Sequence, residues 1–358
     1  MKVLVTGGAG YIGSHTCVEL LNAGHEVVVV DNLCNSSPGV VERIEFLSGR
    51  QLSFHPADVR DLSALDQLLN LHAIDAIIHF AGVKAVAESV VNPAKYYSNN
   101  VRGSLTLFEA AARHGIRRLV FSSSATVYGN NQDSPLREHL PRQPDNAYGR
   151  GKCMVEEYLT DLSRADPSWH AVILRYFNPV GAHPSGLMGE APLGAPNNLM
   201  PIVCQVADGQ RPELAIFGDD YPTADGTAIR DYIHVLDLAR GHVDALQAAL
   251  GNEPGLIFNL GTGQGTSVRE LVATFEQVNG VSVPCRIAGR RVGDAAVSYA
   301  EVTLAHERLS WRASLSLEDM CRDAWRWQQQ NPQGYSRKPL PDLQGHGIAD
   351  IGIPAHST

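Results

Sequence analysis

The chain has 358 residues, long for a single hydrophobic core, and this points to two lobes. Its 44% hydrophobic and 19% charged content is ordinary for a globular protein, and a net charge of −9 argues against broad binding of nucleic acid or anionic membrane. Six cysteines without a C-x-x-C pair, no apolar run of membrane length and a first strand beginning at residue 2 lead us to expect free thiols, a reducing cytoplasm, no membrane association and no leader.

Lys2–Thr6 reads as a buried strand, followed at once by Gly7-Gly8-Ala9-Gly10-Tyr11-Ile12-Gly13 and a helix over 11–24. Gly7, Gly10 and Gly13, three residues apart, suit a tight turn, close approach to a pyrophosphate and packing of helix on strand. The N–H groups opening that helix would meet the phosphates. A second strand, 26–31, ends in Asp31, about 20 residues past the glycines, where a carboxylate holds the adenosine ribose hydroxyls and favours NAD over NADP. Strand patterns at 52–55, 75–80, 117–123 and 170–175 alternate with helical patterns at 61–71, 94–114 and 147–164. The alternation predicts an α/β fold, a Rossmann-type doubly wound parallel sheet covered on both faces.

After residue 176 the texture changes. Asn178-Pro179, His183-Pro184-Ser185-Gly186 and Ala191-Pro192-Leu193-Gly194-Ala195-Pro196 are loop-rich. We therefore divide the chain into a dinucleotide domain over 1–176, rejoined by segments within 230–263, and a smaller mixed α/β substrate-binding lobe over 177–331. Helical patterns at 267–278 and 317–330 belong to that lobe, and Trp311, Trp325 and Trp327 read as packing aromatics. Residues 332–358, rich in Gly, Pro and His, read as a poorly ordered tail.

The chemistry is expected where Ser122, Ser123 and Ser124 close a strand and Tyr148 and Lys152 follow on a helix. Four residues apart, phenol and ammonium share a helical face, so the cation would lower the phenol's pKa. Such a tyrosine takes a proton from a sugar or alcohol hydroxyl, while the serine hydrogen-bonds to the same oxygen as it becomes a carbonyl. Spacing alone defines a nicotinamide-dependent, dehydrogenase-like enzyme. His15, His79 and His234 lie in core elements and read as structural, so no metal site is expected, and Glu42, Arg43 and Glu45 read as a solvated face.

The runs TGGAGYIG (6–13), DNLCNS (31–36), HFAG (79–82), SSSATVYG (122–129), YGRGK (148–152), RYFNPVGAHPSG (175–186), PNNLMP (196–201) and RDYIHV (230–235) together carry a resemblance. Over about residues 1–335 the chain resembles the UDP-glucose 4-epimerase family of extended short-chain dehydrogenase/reductases. The resemblance implies tightly held NAD, a UDP-hexose substrate, C4 epimerisation through a 4-keto sugar, and a homodimer formed through the helices near 94–114 and 147–164. Tyr11, Ile12, Asp31, Asn32, Leu33, Cys34, Asn35, Ser36, Asp58 and Val59 would line the adenosine half of NAD. Phe80, Ala81, Gly82, Val83, Lys84, Asn99, Ser124, Tyr148, Lys152 and Phe177 would surround its nicotinamide half. Substrate contacts would come from Ser124, Tyr148, Asn178, Asn198, Ala215, Ile216 and Phe217, with Arg230, Arg291 and Asp294 around the diphosphate and ribose. Relatives restricted to glucose and galactose wall the sugar pocket with a tyrosine four residues after the aspartate. That position here is Ser298, which implies room for a 2-acetamido group, whereas a one-residue slip would place Tyr299 in the wall.

Two other readings stay open. A nucleotide-sugar dehydratase or decarboxylase would carry a carboxylate right after the strand-ending Ser or Thr, where this chain has Ala125 and Thr126. A non-catalytic NAD-binding regulator would be expected to lose Tyr148 or Lys152, and both are present.

Overall fold

The computed structural model describes residues 1–335 apart from 132, 195, 252–254 and 292. Its centre is a seven-stranded parallel sheet built from β1 (Lys2–Thr6), β2 (Glu26–Asp31), β3 (Ser53–Pro56), β4 (Ala76–His79), β5 (Arg118–Ser124), β6 (His170–Tyr176) and the strand Leu256–Leu260. The spatial order is Leu256–Leu260, β6, β5, β4, β1, β2, β3, so the chain reverses direction between β1 and β4. At such a switch point the connections leave a crevice beyond the strand C-termini. Thr6, His79 and Ser124 end their strands at that edge.

Period-2 alternation fills both faces of the sheet. Val3, Val5, Val27, Val29 and Ile78 enter one core with the helices Tyr11–Asn22 and Val235–Ala248. Leu4, Val28, Val30, Ile77 and Phe121 enter the other, beneath Leu62–Leu71, Gly103–Arg113 and Ala147–Ala165. A third cluster, with Val203, Ile216, Leu271, Phe275 and Trp325, forms the centre of a smaller lobe. There Leu214–Phe217 pairs in parallel with Cys285–Ala288, and Ile229–Arg230 lies between Thr266–Ser267 and Val297–Ser298. Capping boxes at Ser267/Glu270 and Ser316/Asp319 start its two long helices.

Three local expectations change. The helix expected over 94–114 is a short turn at Pro93–Tyr96, a π-helical stretch at Tyr97–Arg102 and an α-helix at Gly103–Arg113. Arg43 is buried rather than solvated, donating to the Leu187 carbonyl at 2.9 Å. The expected tail starts later than residue 332: Tyr335 packs on Trp327 and its hydroxyl donates to the Gly189 carbonyl at 2.8 Å. Residues 336–358 lie outside the described residues. Among the described residues no helix is long and apolar enough to cross a membrane.

Candidate active site

The glycine turn is shaped by close packing. Gly7 has φ +70°, and a Cβ there would sit 2.7 Å from the Ala81 nitrogen. A side chain at Gly13 would strike the Gly7 carbonyl, locking helix against strand. Gly10 is different: it begins the helix without a side-chain cap, leaving the first N–H groups open to a ligand. Ile12 packs partly into the core below, while the Tyr11 hydroxyl crosses to the smaller lobe and donates to the Gly181 carbonyl at 2.7 Å.

Asp31 is preorganised at the end of β2. Its Oδ1 accepts from Leu33 N and the Ser36 hydroxyl, both at 2.9 Å, and its Oδ2 from Ala9 N at 3.1 Å. One lone pair of Oδ2 remains for a ribose hydroxyl. Leu33 takes a left-handed φ of 57°, which lets the loop fold back over the carboxylate. Cys34 N donates to the Asn32 side chain, and Asn35 accepts from Leu193 N of the smaller lobe. Asn32 donates to Asp58 at 2.9 Å, and hydrogen bonds from Arg60 hold the Asp58 carboxyl well below its ordinary range. Val59 is buried against Gly103. An open helix start, a tight glycine turn and a fixed carboxylate at the adjacent strand end together fit a dinucleotide.

Sequence reasoning missed Asn100. Asn99, expected at the nicotinamide half, donates its amide to the Lys95 carbonyl. The buried Asn100 instead accepts from Val83 N at 2.8 Å and donates to Val83 O at 2.9 Å, fixing the Phe80–Lys84 loop. The π-helical turn directs it there, and such turns concentrate at functional sites. Ala81 N donates to the Thr6 hydroxyl, and Gly82 lies where a Cβ would crowd Asn100. Phe80 packs on His242, and Phe177 is buried beside Leu260. His79, between Thr6 and Ser104 at 2.7 and 2.8 Å, supports the same floor.

Ser124, Tyr148 and Lys152 come together above this floor. The Ser124 hydroxyl faces the phenol of Tyr148 and accepts from Thr126 N and the Thr126 hydroxyl. The Lys152 ammonium is 5.8 Å from the Tyr148 ring centroid and donates to the Ser122 carbonyl at 2.5 Å. Burial raises the Tyr148 pKa above its ordinary value, and the neighbouring Ser124 hydroxyl opposes this. Burial also pushes Lys152 down to about 8, opposed by Glu156. Contrary to the expectation from spacing, the protein's own groups do not leave the phenol acidified.

On the smaller lobe, Asn198 starts the helix Leu199–Ala207 and donates to Glu190 at 2.8 Å. The same carboxylate binds Lys84 at 2.6 Å, so Glu190, unmarked by any sequence motif, joins a residue expected at the cofactor to one expected at the substrate. Arg230 lies 3.5 Å from Asp294, and Arg291 stands 3.9 Å over the Phe217 ring. Ala215 lies beside Phe217, but the Ile216 side chain turns into the core. Asn178 begins an exposed strand end beside Tyr232. Ser298 pairs in register with Arg230, whereas the Tyr299 ring lies against Gly265. Among the described residues no group of three or more His, Cys, Asp and Glu could hold a metal.

A doubly wound parallel sheet with this glycine turn, Asp31 and a Ser–Tyr–Lys cluster at the C-terminal edge of its strands defines a dinucleotide-dependent enzyme of the extended short-chain type. The chain belongs to the NAD dependent epimerase/dehydratase family, whose sequence model matches residues 3–261. It is 54% identical to the UDP-glucose 4-epimerase of Bacillus subtilis over 335 residues, covering 94% of this chain and 99% of that one. Its fold matches the crystal structure of UDP-glucose-4-epimerase from Stenotrophomonas maltophila with bound NAD and formylated UDP-arabinopyranose, at TM-score 0.91 and 52% identity, covering 93% and 99% of the two chains. It likewise matches UDP-glucose 4-epimerase from Bifidobacterium longum in complex with NAD+ and UDP, at TM-score 0.90 and 47% identity, covering 93% and 100%.

Proposed function

We propose that this chain interconverts UDP-glucose and UDP-galactose by reversible C4 epimerisation with tightly bound NAD. The observation that carries the reading is the convergence of Ser124, Tyr148 and Lys152 at the same edge of the sheet as the glycine turn, in a chain about half identical to named epimerases. Gly7, Gly10, Gly13 and Asp31 would hold the adenosine diphosphate half, and the Phe80–Lys84 loop with Phe177 the nicotinamide half. Bound there, NAD would supply a hydride acceptor and a positive charge.

Tyr148 takes the C4 hydroxyl proton, and Ser124 hydrogen-bonds to the C4 oxygen as it gains carbonyl character. Lys152, held to the Ser122 carbonyl, keeps a cation near the phenolate. The 4-keto sugar then turns about its diphosphate linkage and presents its other face, and Tyr148 returns the proton. Arg230 and Arg291 grip the diphosphate, whose charge this net acidic chain must meet locally.

The in-register placement of Ser298 beside Arg230 favours a pocket open to the 2-acetamido group, which extends the substrates to UDP-GlcNAc and UDP-GalNAc. The exposed Met154 and Tyr158 support pairing of two copies through helix Ala147–Ala165, and we place the enzyme in the cytoplasm. Purified protein should convert UDP-galactose to UDP-glucose without added NAD. No conversion even after NAD is supplied would overturn the reading.

A further inference from the structure

Glu156 is fully buried one turn beyond Lys152, so Tyr148, Lys152 and Glu156 share one helical face. Its carboxylate accepts from Arg175 Nε at 3.0 Å, Arg175 Nη2 at 2.7 Å and the Ser123 hydroxyl at 2.5 Å. Ser123 lies between Ser122, whose carbonyl receives Lys152, and Ser124, which faces the phenol. One carboxylate therefore ties β5, β6 and the helix together where the three reacting-site residues must register. Arg175 is itself buried and bound to the Tyr128 hydroxyl and the Glu138 carbonyl, so its half of the clamp is fixed.

A second cation reaches the same carboxylate from outside. Arg142 Nη1 lies 3.3 Å from Glu156, while its Nη2 lies 3.2 Å from the exposed Glu157. Arg142 lines a surface cleft with Arg150, Met154 and Thr160, so it can be replaced without opening the core. How much negative potential Glu156 presents to Lys152 thus depends on a partly exposed arginine.

We propose that Glu156 is a positioning residue for the Tyr148–Lys152 pair, and that Arg142 sets how much of its charge reaches the ammonium. The proposal rests on the epimerase reading for its effect on turnover. The titratable groups facing Lys152 are Glu156, the Tyr148 phenol and His79 from β4; those facing Glu156 are Arg175, Arg142 and the Cys153 thiol. Lys152 is pushed down to about 8 by burial, and Glu156 opposes that fall. Neutralising Glu156 should therefore lower the Lys152 titration further, and removing Arg142 should raise it.

The test follows the Nζ resonance of Lys152 in labelled full-length protein, assigned by its loss in Lys152→Met, together with the pH profile of kcat. Glu156→Gln should move the Lys152 titration and the alkaline limb of kcat down by about one pH unit. Glu156→Asp should restore most of that shift, and Arg142→Gln should move both upward. Unmoved titration in Glu156→Gln, or shifts of the same sign in Glu156→Gln and Arg142→Gln, would overturn the proposal. Should Glu156→Gln fail to fold, Arg142→Gln still decides it, because a purely structural clamp leaves the Nζ titration unmoved. The resonance reports the coupling whether or not UDP-galactose turns over, so failure of the epimerase reading shows separately as an inactive parent protein.

Discussion

The Lys152 ammonium donates to the main-chain oxygen of Ser122 at 2.5 Å, two residues before the serine that faces the phenol. Helix and strand are thereby pinned across the floor of the site, and the cation is directed under the reacting tyrosine instead of onto its hydroxyl. Burial raises the phenol's pKa in this arrangement.

Tyr148→Phe should lower kcat by about 10²–10⁴, the usual contribution of a positioned acid–base group, with little change in thermal midpoint. The ring contact with Tyr96 survives the substitution, so packing is kept. Turnover near that of the parent would remove Tyr148 from the role of base.

Asn100→Ala leaves the N–H and carbonyl of Val83 without their side-chain partner in a half-exposed loop. About 0.5–1.5 kcal/mol of local stability should be lost, and the loss should appear as NAD released during gel filtration. Retention of NAD at the parent level would show that the loop is held by other contacts.

How much of this was legible in the sequence depends on whether a feature is local. The glycine turn, Asp31 and the Ser124, Tyr148 and Lys152 trio could be read because each is fixed by spacing along one strand or helix. Asn100, Glu156 and Glu190 could not, since their partners lie 17, 19 and 106 residues away and meet them only through tertiary packing. The direction of the phenol's pKa follows burial, which spacing along the helix does not reveal. Arg43 reads as surface by composition and is drawn inside by the Leu187 carbonyl, 144 residues on.

Ser298→Tyr should suppress conversion of the N-acetylhexosamine pair while sparing the glucose pair. A bulky ring beside Arg230 would fill the room left for a 2-acetamido group. Equal loss of both activities would refute a gate at this position.

Acid should destabilise the fold through its buried imidazoles. Burial lowers His15 and His79 to about 3, and His183 and His242 to about 4, from an ordinary 6.5. Between about pH 6.5 and 4 the unfolded chain binds these protons and the native chain does not, so stability rises with pH across that window. Each such histidine contributes roughly 1.4 kcal/mol per pH unit there. The thermal midpoint should therefore fall steadily from pH 7 to 5, and a flat profile would contradict the burial of these rings.

The most direct measurement is to supply UDP-galactose deuterated at C4 and weigh the UDP-glucose formed. Removal and return of the C4 hydrogen within one closed site predicts that the deuterium stays at C4 in the product. Exchange of that label with solvent would contradict the account, because it would mean that the carbon, and not the hydroxyl oxygen, gives its hydrogen to a protein base.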